Sequence, residues 1–203
     1  MHEQQPQEPR TPEKDHDLHP RIWIGSARDI EEGQLHGAWL DATQPVEQLT
    51  DQVAAMLWAA PLGPGALDTI ILDHADFAGI DIDEHEDLHT ISALGRALAD
   101  YGPPFGAWVQ LQRTHDVNPD VFHRVYLGRW DSLTEFAADL LVELGYEEHL
   151  DRTVPKHVRP YVRLDGTTFA NELVAAGHVT SIPSDDDGVW VFDSREQTQR
   201  GVE

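Results

Sequence analysis

Two histidines and a glutamate near the middle of the chain have the spacing of a zinc-peptidase motif. Residues 85–89 read H-E-D-L-H, so on a helix His85 and His89 could bind Zn²⁺ while Glu86 activates a water molecule. The surroundings disfavour this chemistry, because acids crowd the motif and the glycine and third histidine of metzincins are replaced by Ser92 and Gly95. We therefore interpret both histidines as surface residues, with a zinc metallopeptidase as an alternative.

Other reactive patterns are weak or missing from the sequence. His74 follows Asp73 at the end of a predicted strand, where a single histidine is typically solvated. The chain has no cysteine, which excludes disulfides, thiolate zinc sites, iron–sulfur clusters and cysteine nucleophiles. It also lacks the glycine-rich phosphate-binding motifs and the G-x-S-x-G motif of esterases. We predict that the protein is not an enzyme and has no metal, catalytic residue or cofactor.

Apolar periodicity predicts an α+β fold with small antiparallel or mixed sheets. Strands are predicted at residues 21–25, 36–42, 67–73, 179–183 and 189–193, with Ile80 and Ile82 as candidates for a further edge. Helices are predicted from Pro45 to the turn at Pro61 and at residues 84–101, 105–113, 119–127, 131–145 and 167–176. Six tryptophans are spread over these elements, and we predict that they anchor cores rather than stack against bases.

Changes in composition divide the chain into five segments. We predict a disordered tail at 1–19, an N-terminal α+β domain at 20–82, a helical middle domain at 83–127, a C-terminal α+β domain at 128–195 and a tail at 196–203. The sequence has no run of the ~18 apolar residues that a membrane helix needs and no secretory signal at its start. We expect a cytoplasmic protein that does not bind membranes.

Net charge is the strongest compositional feature. The chain has 37 acidic residues against 14 Lys and Arg, a formal charge of −23. Each of the three predicted domains is net negative, so the acid is spread over a folded body rather than concentrated in a tail. This sign argues against nucleic acid or an anionic membrane as a partner.

The predicted helix at 131–145 carries acids at every fourth position: Asp131, Glu135, Asp139 and Glu143. It has no Lys or Arg, and like charges at this spacing destabilise a helix by roughly 0.2–0.5 kcal/mol per pair. Four residues of helix rise about 6 Å, a spacing comparable to that of phosphates along a nucleic-acid strand. The row could imitate phosphates, although an acidic surface is also typical of proteins that are merely soluble.

Several segments resemble ArdA-type antirestriction proteins. They follow the order of that family from residue 21 to residue 193: R-I-W-I at 21–24, G-Q-L-H-G-A-W-L-D-A at 33–42, I-L-D-H-A-D-F at 71–77, D-E-H at 83–85, S-L-T-E-F-A-A-D-L-L at 132–141, Pro155, Tyr161 and F-A-N-E-L at 169–173. Each motif is weak alone, and their order makes the resemblance specific.

The resemblance implies a non-enzymatic DNA mimic, an elongated chain of three domains that forms a homodimer through the C-terminal one. It implies that the target is the DNA-binding groove of type I restriction-modification enzymes, formed by their specificity and modification subunits. The family's antirestriction segment corresponds to about residues 140–161. This chain departs from the family there, because Arg152, Lys156, His157, Arg159 and Arg163 make the region more basic than expected.

We predict that the mimic surface is built from acids of all three domains. A generic inhibitor of another DNA-binding protein has the same charge pattern and stays open as an alternative. The predicted surface comprises Asp29, Glu31, Glu32, Glu47, Asp51, Asp76, Asp81, Asp83, Glu84, Glu86, Asp87, Asp100, Asp131, Glu135, Asp139, Glu143, Glu147, Glu148 and Asp151.

Overall fold

A computed structural model describes residues 18–63, 69–112 and 118–195. The chain divides into two compact units between Phe122 and His123. Each unit contains one three-stranded antiparallel sheet with helices, which confirms the α+β class. The predicted tails, apart from residues 18 and 19, lie outside the described residues. The division into three domains stays a prediction.

The sheet of the first unit is formed by three predicted strands. They are β1 (Arg21–Ser26), β2 (Gly37–Asp41) and β3 (Thr69–Ala75), in the order β2-β1-β3. A short helix, α1 (Ala27–Glu31), follows β1. The predicted edge strand at Ile80 and Ile82 is wrong, because the backbone there forms no strand, although both side chains are buried in the core.

Three further helices lie in the first unit, α2 (Val46–Trp58), α3 (Leu88–Tyr101) and α4 (Pro103–Gln112), and a fourth, α5 (Pro119–Val125), crosses the boundary between the units. The predicted start of α3 at residue 84 is wrong by four residues. Asp87 caps this helix, since its carboxylate accepts the backbone N–H of Thr90 at 2.9 Å. A Cβ at Gly95 would lie 2.4 Å from the carbonyl oxygen of Ala42, so the glycine allows α3 to pack directly against the residue that follows β2.

Aromatic rings form the centre of the helical region. Phe105 is fully buried, and its ring centroid lies 5.3 Å from that of Phe122 and 5.8 Å from that of Trp108. Not all tryptophans anchor a core as predicted, because Trp39 is 44% exposed and Trp58 is 74% exposed. The guanidinium of Arg21 lies over the Trp39 ring instead, 4.9 Å from its centroid.

The second unit contains a sheet of β4 (Tyr126–Trp130), β5 (Val179–Pro183) and β6 (Val189–Asp193), in the order β4-β6-β5. Its helices are α6 (Leu133–Glu143), α7 (Tyr146–Thr153) and α8 (Gly166–Ala175), with a 3₁₀ turn at Arg159–Tyr161. The core joins Phe136 of α6 and Leu173 of α8 to Val179 and Val191 of the sheet.

Two local predictions for this unit need correction, and one helix was missed. The helix predicted to reach residue 127 ends at Val125, and Tyr126 begins β4. The helix predicted over residues 131–145 spans Leu133–Glu143, and Leu144 beyond its end is exposed. The helix α7 was not predicted. In the part of the chain that the structure describes, no helix has the length and apolar character to cross a membrane.

Candidate acidic binding surface

Sixteen of the nineteen acids predicted to form a binding surface are exposed, Glu86 and Glu147 are half-buried, and Asp29 is buried. Twelve of the nineteen lie in the first unit and seven in the second. Each unit therefore presents its own group of solvated carboxylates.

Asp29 must be removed from the predicted surface. Its side chain is fully buried because two partners hold it at the start of α1. The hydroxyl of Ser26 donates to Oδ2 at 2.5 Å, and the backbone N–H of Leu62 donates to Oδ1 at 3.2 Å. Asp29 thus ties α1 to the turn after α2 and has a structural role.

We expect Asp29→Ala to destabilise the first unit by about 1–3 kcal/mol, because the Ser26 hydroxyl and the Leu62 N–H lose their acceptor in a buried place. The matched control is Glu31→Ala, which removes an exposed acid from the same helix. Urea unfolding of both variants measures the difference. Equal unfolding free energies would show that the buried carboxylate contributes nothing to stability.

Four acids at intervals of four residues form the α6 acidic row, defined as Asp131, Glu135, Asp139 and Glu143. All four side chains are exposed. The last three lie on α6, whereas Asp131 precedes the Ser132 cap.

Local contacts fix three members of the α6 acidic row. Asp131 lies 3.4 Å from Nη1 of Arg129, and its backbone N–H donates to Oε2 of Glu135 at 3.2 Å. The indole N–H of Trp130 donates to Oδ2 of Asp139 at 3.1 Å. Contacts with β4 therefore fix part of the row, and Arg129 partly compensates its negative charge. The sequence of the helix alone does not show that this arginine is a neighbour.

Acids also crowd the segment from residue 76 to the start of α3, and some of them have structural tasks. Asp83 accepts the backbone N–H of His85 at 2.9 Å. At the cap of α3, the side chain of Thr90 donates to Asp87, and this hydrogen bond and the one from the Thr90 backbone lower the pKa of that carboxyl. The Asp87 charge accordingly stabilises the helix as well as adding to the surface.

The geometry needed for a zinc-peptidase site is missing from the H-E-D-L-H segment. His85 and Glu86 lie in the turn before α3, and only His89 lies on the helix. The two histidines are therefore not stacked on one helical face. Within residues 18–63, 69–112 and 118–195, no group of three or more histidines and acids is placed to hold a metal ion. The metallopeptidase alternative loses its structural basis.

The basic segment in the second unit divides into two kinds of residue. Arg152, Lys156, His157 and Arg163 are exposed. The guanidinium of Arg159 instead contacts carboxylates of α7: its Nε donates to Oδ1 of Asp151 at 2.6 Å, and its Nη2 pairs with Glu147. Hydrogen bonding to these acids, Asp151 first, raises the pKa of Arg159. The sequence shows the excess of basic residues here but not which of them is paired.

These residues define a class of protein: an acidic α+β protein in which most of the candidate carboxylates are exposed to solvent. A family model described as "Antirestriction protein (ArdA)" matches residues 22–185, well over half of the chain. The chain belongs to the ArdA family of antirestriction proteins, as its sequence motifs predicted. A search of curated proteins found no significant match.

Proposed function

We propose that this protein is a DNA mimic that occupies the DNA-binding groove of type I restriction-modification enzymes and so blocks restriction. Membership of the antirestriction family supports a role in opposing restriction. The observation that carries the mimicry is the exposed α6 acidic row on a protein with a net charge of −23.

The spacing of the row suits this role. Glu135, Asp139 and Glu143 follow one another at intervals of four residues on α6, a rise of about 6 Å each. Double-stranded DNA carries one charge per ~1.7 Å, so 23 charges correspond to roughly 40 Å of duplex. One chain thus has charge enough to compete for the length of groove that a duplex would fill.

The proposed mechanism needs no catalysis. A basic groove gains affinity for DNA because its Lys and Arg side chains replace the counterions of phosphates. A folded surface with carboxylates at matching places competes for the same side chains and gains speed of association from the opposite charge. Because it reads no bases, it inhibits enzymes that recognise different sequences, provided that they share the groove.

We further propose that the groove is the one formed by the specificity and modification subunits, and that the protein acts in the cytoplasm as a homodimer joined through its second unit, without cofactor. A two-fold symmetric dimer presents two equal acidic surfaces to a bipartite DNA-binding site.

Plating of unmodified phage on a host with a type I restriction system tests the function. Expression of this protein is expected to raise the plating efficiency on the restricting host and to leave plating of already modified phage unchanged. If soluble protein accumulates and restriction is undiminished, the proposed target is wrong. A purified protein that then displaces DNA from a different DNA-binding protein would favour the generic inhibitor.

A further inference from the structure

The helix α7 is short and packs only lightly, since Glu147 and Leu150 are half-buried and its other residues are exposed. It spans eight residues, none of which is buried, and the residue before it, Gly145, provides no side-chain cap. Isolated helices of this length are unstable in water. Three acids of the predicted surface, Glu147, Glu148 and Asp151, lie on this helix, so their positions depend on whatever holds α7.

One arginine joins α7 to the turn that follows it. The guanidinium of Arg159 uses Nε for Asp151 Oδ1 at 2.6 Å and Nη2 for the Glu147 carboxylate, while Nη1 donates to the carbonyl oxygen of Val162 at 2.9 Å. Glu147 and Asp151 are one helical turn apart and thus share a face of α7. Three of its donor atoms bind three separate groups, an arrangement that the rigid fork of arginine allows.

We infer that Arg159 is a positioning residue, which holds α7 so that Glu147, Glu148 and Asp151 meet the target of the mimic at a fixed spacing. This inference rests on the proposed function. A lysine at position 159 would keep the charge but lose the fork, because a single ammonium group cannot bind all three partners in these directions.

Removal of the Arg159 charge should change the binding affinity in the direction opposite to that expected from net charge alone. Removing a cation makes the protein more negative, which by charge alone should strengthen binding to a basic groove. If Arg159 positions α7, its removal should weaken binding instead. Arg152 provides the matched control, since it is exposed on α7 and has no hydrogen bond or ion pair with any residue that the structure describes.

The test compares the full-length parent protein with Arg159→Gln, Arg159→Lys and Arg152→Gln. Inhibition of a purified type I restriction enzyme is measured over a range of salt concentrations. We expect Arg159→Gln and Arg159→Lys to lose roughly tenfold in inhibitory potency at low salt. The slope of log potency against log salt should fall by about 2, because two or three ionic contacts are no longer held in place. Arg152→Gln should inhibit at least as well as the parent.

Hydrogen exchange on the same four proteins separates a positioning role from general unfolding. Amides of α7 should exchange at least several-fold faster in both Arg159 variants and at the parent rate in Arg152→Gln, while amides of β6 stay protected in all. Retained protection of α7 in Arg159→Gln, or inhibition equal to that of Arg152→Gln, would overturn the inference and leave the proposed function intact. Failure of the parent protein to inhibit any type I enzyme would overturn both.

Discussion

Neutralising the α6 acidic row by D131N, E135Q, D139N and E143Q together is expected to weaken inhibition of a type I enzyme while the second unit stays folded. The fold should survive because Gln at 135 and Asn at 139 still offer oxygen acceptors to the Asp131 N–H and the Trp130 indole. Relief of repulsion between like charges four residues apart should stabilise α6 slightly.

The expected loss of function is large. If all four carboxylates meet basic residues of the groove, the slope of log affinity against log salt should fall by about 3 to 4, and affinity at low salt should fall by tenfold or more. Competition with a DNA duplex for the purified enzyme, repeated over a salt series, measures both quantities. Circular dichroism and urea unfolding check the fold.

A pairwise comparison controls for net charge. D139N with E143Q removes two charges from the row, and E172Q with D185N removes two exposed charges outside the predicted surface. The first pair should weaken inhibition more than the second. Should the quadruple variant inhibit as strongly as the parent at every salt concentration, the row is only a solvated helix face and mimicry lies elsewhere.

The second large effect is expected from Phe105→Ala. Phe105 is fully buried and its ring contacts those of Tyr101, Trp108 and Phe122. Loss of the ring leaves a cavity between neighbours that cannot collapse fully, a cost of about 3–5 kcal/mol in unfolding free energy. Urea unfolding measures it, with the exposed Leu111→Ala on the same helix as the control, for which we expect a much smaller change.

The same variant reports on the predicted boundary between residues 82 and 83. The contact of Gly95 with Ala42 packs α3 closely against the end of β2, so we expect the amides of β1 to lose protection from hydrogen exchange along with those of α4. If β1 keeps its full protection while α4 loses it, the helical region unfolds alone, as a separate middle domain would.

Elements with a strong local pattern were predicted correctly. The strands β1, β2, β5 and β6 and the helix α2 follow from alternating or helical spacing of apolar residues between turn residues. The helix predicted over residues 131–145 was found as α6 but begins two residues later, because Ser132 caps it by accepting the N–H of Glu135 at 3.1 Å. In these places the local preference and the tertiary contacts agree.

What was missed depends on contacts between distant residues. The segment of β4 was assigned in part to the preceding helix, because its strand pairing is with β6, some sixty residues later in the chain. α7 is short and mostly polar, and the ion pairs of Glu147 and Asp151 with Arg159 that help to hold it join residues 8 to 12 positions apart. Asp29 was predicted to lie on the surface because most aspartates do. It is buried instead, and it accepts a hydrogen bond from Leu62, 33 residues away.

The open sheets give the acidity of the chain a second consequence. In the orders β2-β1-β3 and β4-β6-β5, four of the six strands within the described residues are edges, and β3 is partly covered because the Ile71 N–H donates to the Glu84 carbonyl at 2.9 Å. An uncovered edge strand is a template on which another chain can pair. Mutual repulsion between molecules of charge −23 opposes such encounters, and it reaches only ~10 Å at 0.1 M salt. Charge thus contributes to the colloidal stability of the protein. Each carboxylate that is neutralised to probe mimicry also narrows the range of salt and protein concentration over which the molecules stay dispersed.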